Sequence, residues 1–415
     1  MAIDKLQTDA LSNTVTATVA SFAIGANVSI NSSAVFFGNS TINTVMTASS
    51  LTIANVSLNS STIVIGSGKI AAGGVTLPSN FGVSSNTTNL LENRGGQLFF
   101  NGRRVDLVNE YAAVYGYAMG GYTGGGTPVT TVDRIAFSTS TTTASTASNL
   151  ATARYNVGGT SDCSVYGYTF GGANGIAYLA TGDRTAFSTS VTAASTISNL
   201  SSARSNPTGV SDGAIYGYAM GGYDPSSTTV DRITFRTSIT AASTVSNLST
   251  ARGHAAGISD GSVYGYVTGG VTTALTSSTN RITFSTSATA AATGTTLSDA
   301  RYTLTGLSDG AVYGYVLGGY NATTIVTTAD RLTFTTGVSA ASTVSNLSVA
   351  RYSMPNQSVS DGTLYGYVFG GVNTSSLVVA TTDRLIFSTS VTSAYTAANI
   401  SQARAAMAGL SDGAV

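Results

Sequence analysis

Apolar and polar residues alternate with period two through most of the chain, as in V-Y-G-Y-V-L-G-G from Val312 and T-A-D-R-L-T-F from Thr328. Side chains alternating in this way lie on opposite faces of a β-strand. Thr, Val, Gly and Ser dominate these stretches, and none of them favours a helix. Each segment is short and ends at a turn signal, so the pattern predicts an all-β fold built from many short strands.

One phrase, AVYGYVLGGY followed by TTADRLTFTTGVSAASTVSNLSVAR from Ala311, occurs six times, with Tyr-Gly-Tyr starting at Tyr115, Tyr166, Tyr216, Tyr264, Tyr313 and Tyr365. A repeat of this length is one supersecondary unit. Within it the pattern gives four strands: the Tyr-Gly-Tyr segment, the Asp-Arg segment, a Ser/Thr/Ala/Val run ending at Asn-Leu, and the stretch from Arg to Ser-Asp-Gly. Four strands in about 50 residues fit one propeller blade. The Asp-Arg position lies 21 residues before the Arg of "AR" in every copy, whereas Tyr-Gly-Tyr to Asp-Arg varies from 15 to 18 residues. Length variation of that kind marks surface loops.

The repeat region begins on a Tyr-Gly-Tyr strand that lacks the Arg-to-Ser-Asp-Gly strand before it, and it finishes on ARAAMAGLSDGAV, which is that strand. A ring of sheets leaves no open edge when its last blade is made from both ends. The expectation is therefore a six-bladed propeller in region 106–415, its blades running from about residue 111, with residues 404–415 completing the blade begun at Tyr111. A trimeric β-solenoid does not account for the matching ends.

The glycine doublets after the Tyr-Gly-Tyr strands, each followed by a variable loop, a strand and a later Arg, resemble the kelch repeat, which implies a kelch-like β-propeller. Kelch blades usually carry a Trp before that Arg; here Ala, Ser and Thr fill the region. The repeats also resemble kelch-like repeats of phage structural proteins. In region 1–105, MAIDKLQTDAL, LTIANVSLNSSTIVIGSG and GGQLFFNGRRV resemble phage tail and head fibre proteins. Such a resemblance implies a β-rich virion-attachment and oligomerisation region, a homotrimer, contacts with other virion proteins, and a distal head that meets a host surface glycan or protein. NVSINSSAVFFG at Asn27 returns as NVSLNSSTIVIG at Asn55, and small strand pairs of this kind are marginal alone.

Composition narrows the chemistry. Charged residues are 9% of the chain and cancel to zero, so no basic face for nucleic acid is expected. One cysteine, Cys163, and one histidine, His254, exclude a disulfide framework and a Cys/His metal cluster. No cofactor is expected. No stretch reaches the roughly 18 continuous apolar residues of a membrane helix, and MAIDKLQTDA lacks the basic start of a secretion signal. That pairing suits a virion component assembled in the host cytoplasm and released by lysis.

Most charges belong to the repeat. Twelve of the eighteen Lys and Arg, and eleven of the eighteen Asp and Glu, recur in register. They are the Asp-Arg pairs Asp133-Arg134, Asp183-Arg184, Asp231-Arg232, Asp330-Arg331 and Asp383-Arg384, with Asn280-Arg281 in the remaining copy; the "AR" arginines Arg154, Arg204, Arg252, Arg301, Arg351 and Arg404; and the six Ser-Asp-Gly aspartates. Neighbours in a strand face opposite ways, so each Asp-Arg pair is expected to engage "AR" arginines, Ser-Asp-Gly aspartates or turn backbones. Where Asn280 replaces Asp, Arg281 is expected to need another acceptor. The paired tyrosines read as packing against a thin neighbouring face rather than as a sugar platform.

Catalysis is not expected. Ser-Asp-Gly is similar to the sialidase Asp-box but lacks its terminal aromatic, and a copper site of the galactose-oxidase kind needs two histidines. His254 reads as a satisfied or exposed histidine, and Cys163 as a neutral replacement for glycine. Candidate ligand-binding residues are Tyr122, Tyr223, Asp224 and Tyr320, just beyond the glycine doublets. The reading that follows is a non-enzymatic phage fibre displaying a propeller for host recognition; the alternative is a head fibre or capsid decoration with a purely structural role.

Overall fold

The computed structural model describes residues 114–223 and 226–413, together with the backbone of five short strands before them. The chain divides into two compact units, Met1–Val75 and Thr76–Val415. In the first, Val28–Ile30 pairs antiparallel with Val35–Phe37, inside the phrase at Asn27. The related phrase at Asn55 lies outside the described residues. In the second unit, Leu91–Arg94, Gln97–Phe100 and Arg103–Arg104 form a three-stranded antiparallel sheet.

Residues 114–413 form a six-bladed β-propeller of four-stranded antiparallel sheets. Blade 2 is representative, with an inner strand Gly158–Ser161, a second strand Tyr166–Phe170, a third Gly182–Ala186 and an outer Val191–Ser195. Blades 3 to 6 follow in chain order. Blade 1 takes its inner strand, Ala408–Ser411, from the far end of the propeller, paired with Tyr115–Met119 in the register Ala408↔Met119 to Ser411↔Gly116. The closure expected from the matching ends is the one observed.

The turn that follows each inner strand explains why Ser-Asp-Gly recurs. In blade 3, one Asp212 carboxylate oxygen accepts the N–H groups of Ala214, Ile215 and Tyr216 at 2.9, 2.7 and 2.9 Å. Asp260, Asp309 and Asp361 do the same in their blades. At the closure, Asp412 accepts the N–H groups of Val114 and Tyr115 at 2.7 and 2.9 Å. The local turn is thus rebuilt between residues almost 300 positions apart. These aspartates bind backbone, one of the two roles the repeat suggested.

The second tyrosine of each triplet, from Tyr117 to Tyr367, is at most 1% exposed. Tyr117 stacks on Phe187 of the next blade with ring centroids 5.8 Å apart, and its hydroxyl meets Ser190 Oγ at 2.8 Å. The triplet glycine lies on the other face: a Cβ on Gly167 would come 2.9 Å from Phe187 and 2.7 Å from Leu410 of blade 1. The mid-strand glycine makes room for the ring on which the neighbour's tyrosine stacks. Tyr266 lacks a hydroxyl partner, because Gly337 stands where the other copies have serine.

Closer to the axis the inner strands meet backbone to backbone. A Cβ on Gly209 would fall 1.7 Å from the Gly159 carbonyl oxygen, and one on Gly409 would fall 1.9 Å from that of Ser358. Five blades carry glycine at this position; in blade 6 Ser358 stands there and its hydroxyl donates to the Gly306 carbonyl. Just beyond, serine hydroxyls link blades: Ser211 donates to the carbonyl of Ser161, Ser259 to Ser211, Ser308 to Ser259, Ser360 to Ser308 and Ser411 to Ser360, at 2.7–2.8 Å.

The repeat charges divide into two sets. The "AR" arginines bridge blades: the carbonyl of Arg154 accepts the Gly121 N–H of blade 1 at 2.9 Å, while its guanidinium bonds the Thr181 carbonyl and Asp183 of blade 2. Arg204 pairs with Asp231 at 2.7 Å, and Arg301, Arg351 and Arg404 pair with Asp330, Asp383 and Asp133. Burial pulls Arg154, Arg301, Arg351 and Arg404 below their ordinary pKa, and each facing carboxylate pushes back.

The Asp-Arg arginines take another course. Arg134, Arg184, Arg232, Arg281, Arg331 and Arg384 lie over the first tyrosines of their triplets, 4.1–4.6 Å from the ring centroids, a favourable cation–π arrangement. Arg281 stacks like its counterparts, so the residue affected by Asn280 is Arg252, contrary to the sequence expectation. Arg252 is 1% exposed, bonds only carbonyls and the Ser278 hydroxyl, and is drawn down to about 10 by burial. Strand alternation showed that Asp and Arg diverge but not which arginine each blade seam receives.

Two stability outcomes follow from these seams. Asp330→Asn strands Arg301 and should cost about 3–5 kcal/mol in chemical denaturation. Asn280→Asp should move stability the opposite way, since the Ser249 N–H and hydroxyl that bond Asn280 at 2.8 and 2.7 Å suit a carboxylate equally; a loss on Asn280→Asp would refute the pairing account. Separately, Cys163 has φ 59° where its counterparts Gly213, Gly261, Gly310 and Gly362 have 69–73°. The left-handed region costs an L-residue about 1–2 kcal/mol, so Cys163→Gly should raise the melting temperature, and an unchanged or lower one counts against strain at this turn.

Candidate functional site

The mouth at the opposite end of the axis from the Ser-Asp-Gly turns is assembled from two short segments per blade. The residue after each glycine doublet pairs with the residue after "AR": Tyr122 with Ala405, Ala173 with Tyr155, Tyr223 with Ser205, Val271 with Gly253, and Tyr320 with Tyr302; Val372 pairs with Tyr352. The doublets take positive φ, as at Gly120 (64°) and Gly121 (100°), which glycine adopts freely. That turn directs the next side chain onto the mouth.

The following residue on the inner segment, Asn156, Asn206, His254, Thr303, Ser353 or Ala406, is also left-handed, with φ 50–59°. Around the axis these segments exchange backbone bonds: Asn206 N–H donates to the Asn156 carbonyl at 2.7 Å, Thr303 to His254 at 2.9 Å and Ala406 to Ser353 at 2.8 Å. With Asn156 N–H on the Ala406 carbonyl at 2.8 Å and Met354 N–H on the Thr303 carbonyl at 3.1 Å, such bonds join five of the six junctions; none is made between Asn206 and His254.

On this rim the aromatic side chains form an arc. Tyr223 packs on His254 with centroids 4.8 Å apart, His254 on Tyr302 at 5.9 Å, Tyr302 on Tyr320 at 5.8 Å and Tyr320 on Tyr352 at 6.2 Å. Tyr122 packs edge-on against Tyr155 at 5.6 Å, and its hydroxyl meets Ser353 Oγ at 3.1 Å. Burial raises the Tyr122 and Tyr302 hydroxyls above their ordinary pKa. Ala173, Ser205 and Asn206 leave the arc open between Tyr155 and Tyr223.

Tyr122, Tyr223 and Tyr320 are therefore brought to one mouth, while Asp224 lies outside the described residues. Sequence reasoning missed Tyr155, Tyr302 and Tyr352. The available signal was their shared place directly after "AR", equivalent across the strand pair to the place after the glycine doublet. His254, expected to be satisfied or exposed, sits inside the arc, and its Nδ1 is buried with no hydrogen-bond partner.

A side chain spans the axis beneath the mouth. Asn356 crosses the axis from blade 6, donating its amide to the Pro207 carbonyl of blade 3 at 3.0 Å, and its main-chain carbonyl accepts Gly409 N–H at 2.6 Å. Beyond it the axial cavity is about 100 Å³, lined by inner-strand residues such as Thr160, Ser259 and Gly306. The interval from "AR" to Ser-Asp-Gly betrays this plug: Arg351 to Ser360 spans nine residues and the equivalent Arg301 to Ser308 spans seven.

The mouth is also uncharged in its cationic groups. The described Asp-Arg and "AR" arginines are committed to tyrosines and seams, and Arg236 follows the third strand at the Ser-Asp-Gly end of blade 3. Asp299, on the loop side, accepts the Asn321 amide at 2.8 Å. Among the described residues no group of three or more His, Cys, Asp or Glu is placed to hold a metal. The chain matches no protein-family model, and no curated protein compared with it is similar.

Burial lowers the His254 imidazole from 6.5 to about 4. The folded state holds it neutral, whereas the unfolded chain takes up a proton below about 6.5, so its contribution is whole above that pH and is lost as pH falls toward 4. The stability of the wild type relative to His254→Asn should decline between pH 6.5 and 4 and stay level from 7 to 8. A difference that is flat throughout would mean the imidazole is solvated.

Proposed function

We propose that this is a non-enzymatic phage virion protein whose propeller recognises a host surface glycan through the aromatic mouth. The observation that carries the reading is the arc of tyrosines and His254, six of whose members are tyrosines drawn from five blades and held on a hydrogen-bonded rim. Aromatic faces offer sugars an apolar platform, and tyrosine hydroxyls add polar tips at low entropic cost.

Chain direction supports the same reading. The chain joins the propeller at Val114, beside the Ser-Asp-Gly turns, and the mouth lies at the other end of the blades. In this proposal residues 1–105 attach the protein to the particle and associate as a homotrimer, and the mouth faces the host. The sequence resemblance to fibre proteins supports that assignment.

Binding of the purified protein to polysaccharide extracted from the host envelope tests the reading. Tyr302→Ala and Tyr122→Ala should each reduce retention by tenfold or more while leaving the thermal transition within a few degrees. Equal retention by both folded variants rejects the mouth as the receptor site and favours a purely structural head fibre or decoration protein.

A further inference from the structure

The aromatic mouth is not uniform: at the junction of blades 3 and 4 hydrogen-bonding capacity is left unspent. Asn206 is 1% exposed, yet its Oδ1 has no partner and its Nδ2 makes only a 3.5 Å contact with His254 Nε2. His254 Nδ1 is also buried without a partner. Elsewhere on the rim Ser353 Oγ meets the Tyr122 hydroxyl, and Thr303 Oγ1 donates to the Tyr302 carbonyl at 2.7 Å.

A buried polar group without a partner costs free energy that a ligand group can recover. Turned either way, the Asn206 amide leaves one end unbonded, so the missing partner must serve as donor or acceptor. A hydroxyl does both. Tyr223 lies over His254 at 4.8 Å and is 40% exposed, with its backbone held by the 2.7 Å bond from its N–H to the Ser205 carbonyl. Its ring can swing aside without disturbing the rim. With the described arginines engaged elsewhere, an anionic sugar finds no counter-charge here.

We infer that Tyr223, Asn206 and His254 form a subsite for one neutral sugar unit, whose apolar face packs on the displaced Tyr223 ring and whose hydroxyls bond the Asn206 amide and the His254 imidazole. This deepens the glycan reading of the mouth and rests on it. The subsite selects neutral hexoses or N-acetylhexosamines over uronic and sialic acids.

The experiment is calorimetric titration of the full chain with methyl glycosides of glucose, galactose, mannose and N-acetylglucosamine, and with glucuronic and N-acetylneuraminic acids. Tyrosine fluorescence gives a second readout in a chain without tryptophan. Asn206→Ala and His254→Asn are tolerated by the rim, since Ala406 and Asn156 occupy equivalent left-handed positions. At least one neutral glycoside should bind, weakened about tenfold or more by each variant, with Thr303→Ala within twofold of the wild type. Binding indifferent to both variants, equal binding of the acids, or no binding of any neutral glycoside overturns the subsite. If Tyr302→Ala abolishes polysaccharide retention while Asn206→Ala and His254→Asn leave it intact, the subsite fails and the mouth reading stands. If none of the three changes retention, the mouth reading itself fails.

Discussion

The propeller depends on an arginine that belongs to two blades at once. Its carbonyl accepts a glycine N–H from the blade behind, and its guanidinium bonds carbonyls and an aspartate in the blade ahead. A chain with 9% charged residues places these charges where water is absent. Buried ion pairs are weak sources of net stability but severe penalties when broken. Their value here is specificity of seam: sliding one blade against the next separates a charge from its partner at every junction that has one.

The seams permit the near-contact of inner strands at the axis. With glycine on the inner strand the blades approach until a carbonyl of one faces a Cα of the next, and the serine hydroxyls then bind across. The axial cavity is left at about 100 Å³ beneath the Asn356 plug, too small for a sugar chain to thread, so recognition is proposed for the rim. The left-handed residues on that rim store strain of the kind found at functional sites, and inter-blade hydrogen bonds hold them at every junction but that of Asn206 and His254.

Departures from six-fold repetition fall in distinct places. Asn280, Gly337 and Cys163 each alter one packing or turn position within a blade. The plug at Asn356 and the Asn206–His254 pair lie on the axis and the mouth. Strand positions are constrained by a neighbour on both sides, whereas the mouth has solvent on one side, which leaves it free to vary.

Period-two alternation, the six phrases and the complementary ends were enough to predict the blades and the strand that closes them, because strand pairing follows a pattern written locally in each repeat. That the tyrosines pack was legible for the same reason, but not that only the second of each pair is fully buried while the first lies under an arginine. Which arginine meets which aspartate was not, since the partners lie in different blades and alternation specifies a face without naming the neighbour across it. Nor was the mouth legible beyond Tyr122, Tyr223 and Tyr320. Tyr302 meets Tyr320 within blade 5, but Tyr155, His254 and Tyr352 join the mouth from other blades, a consequence of ring geometry that no single repeat contains.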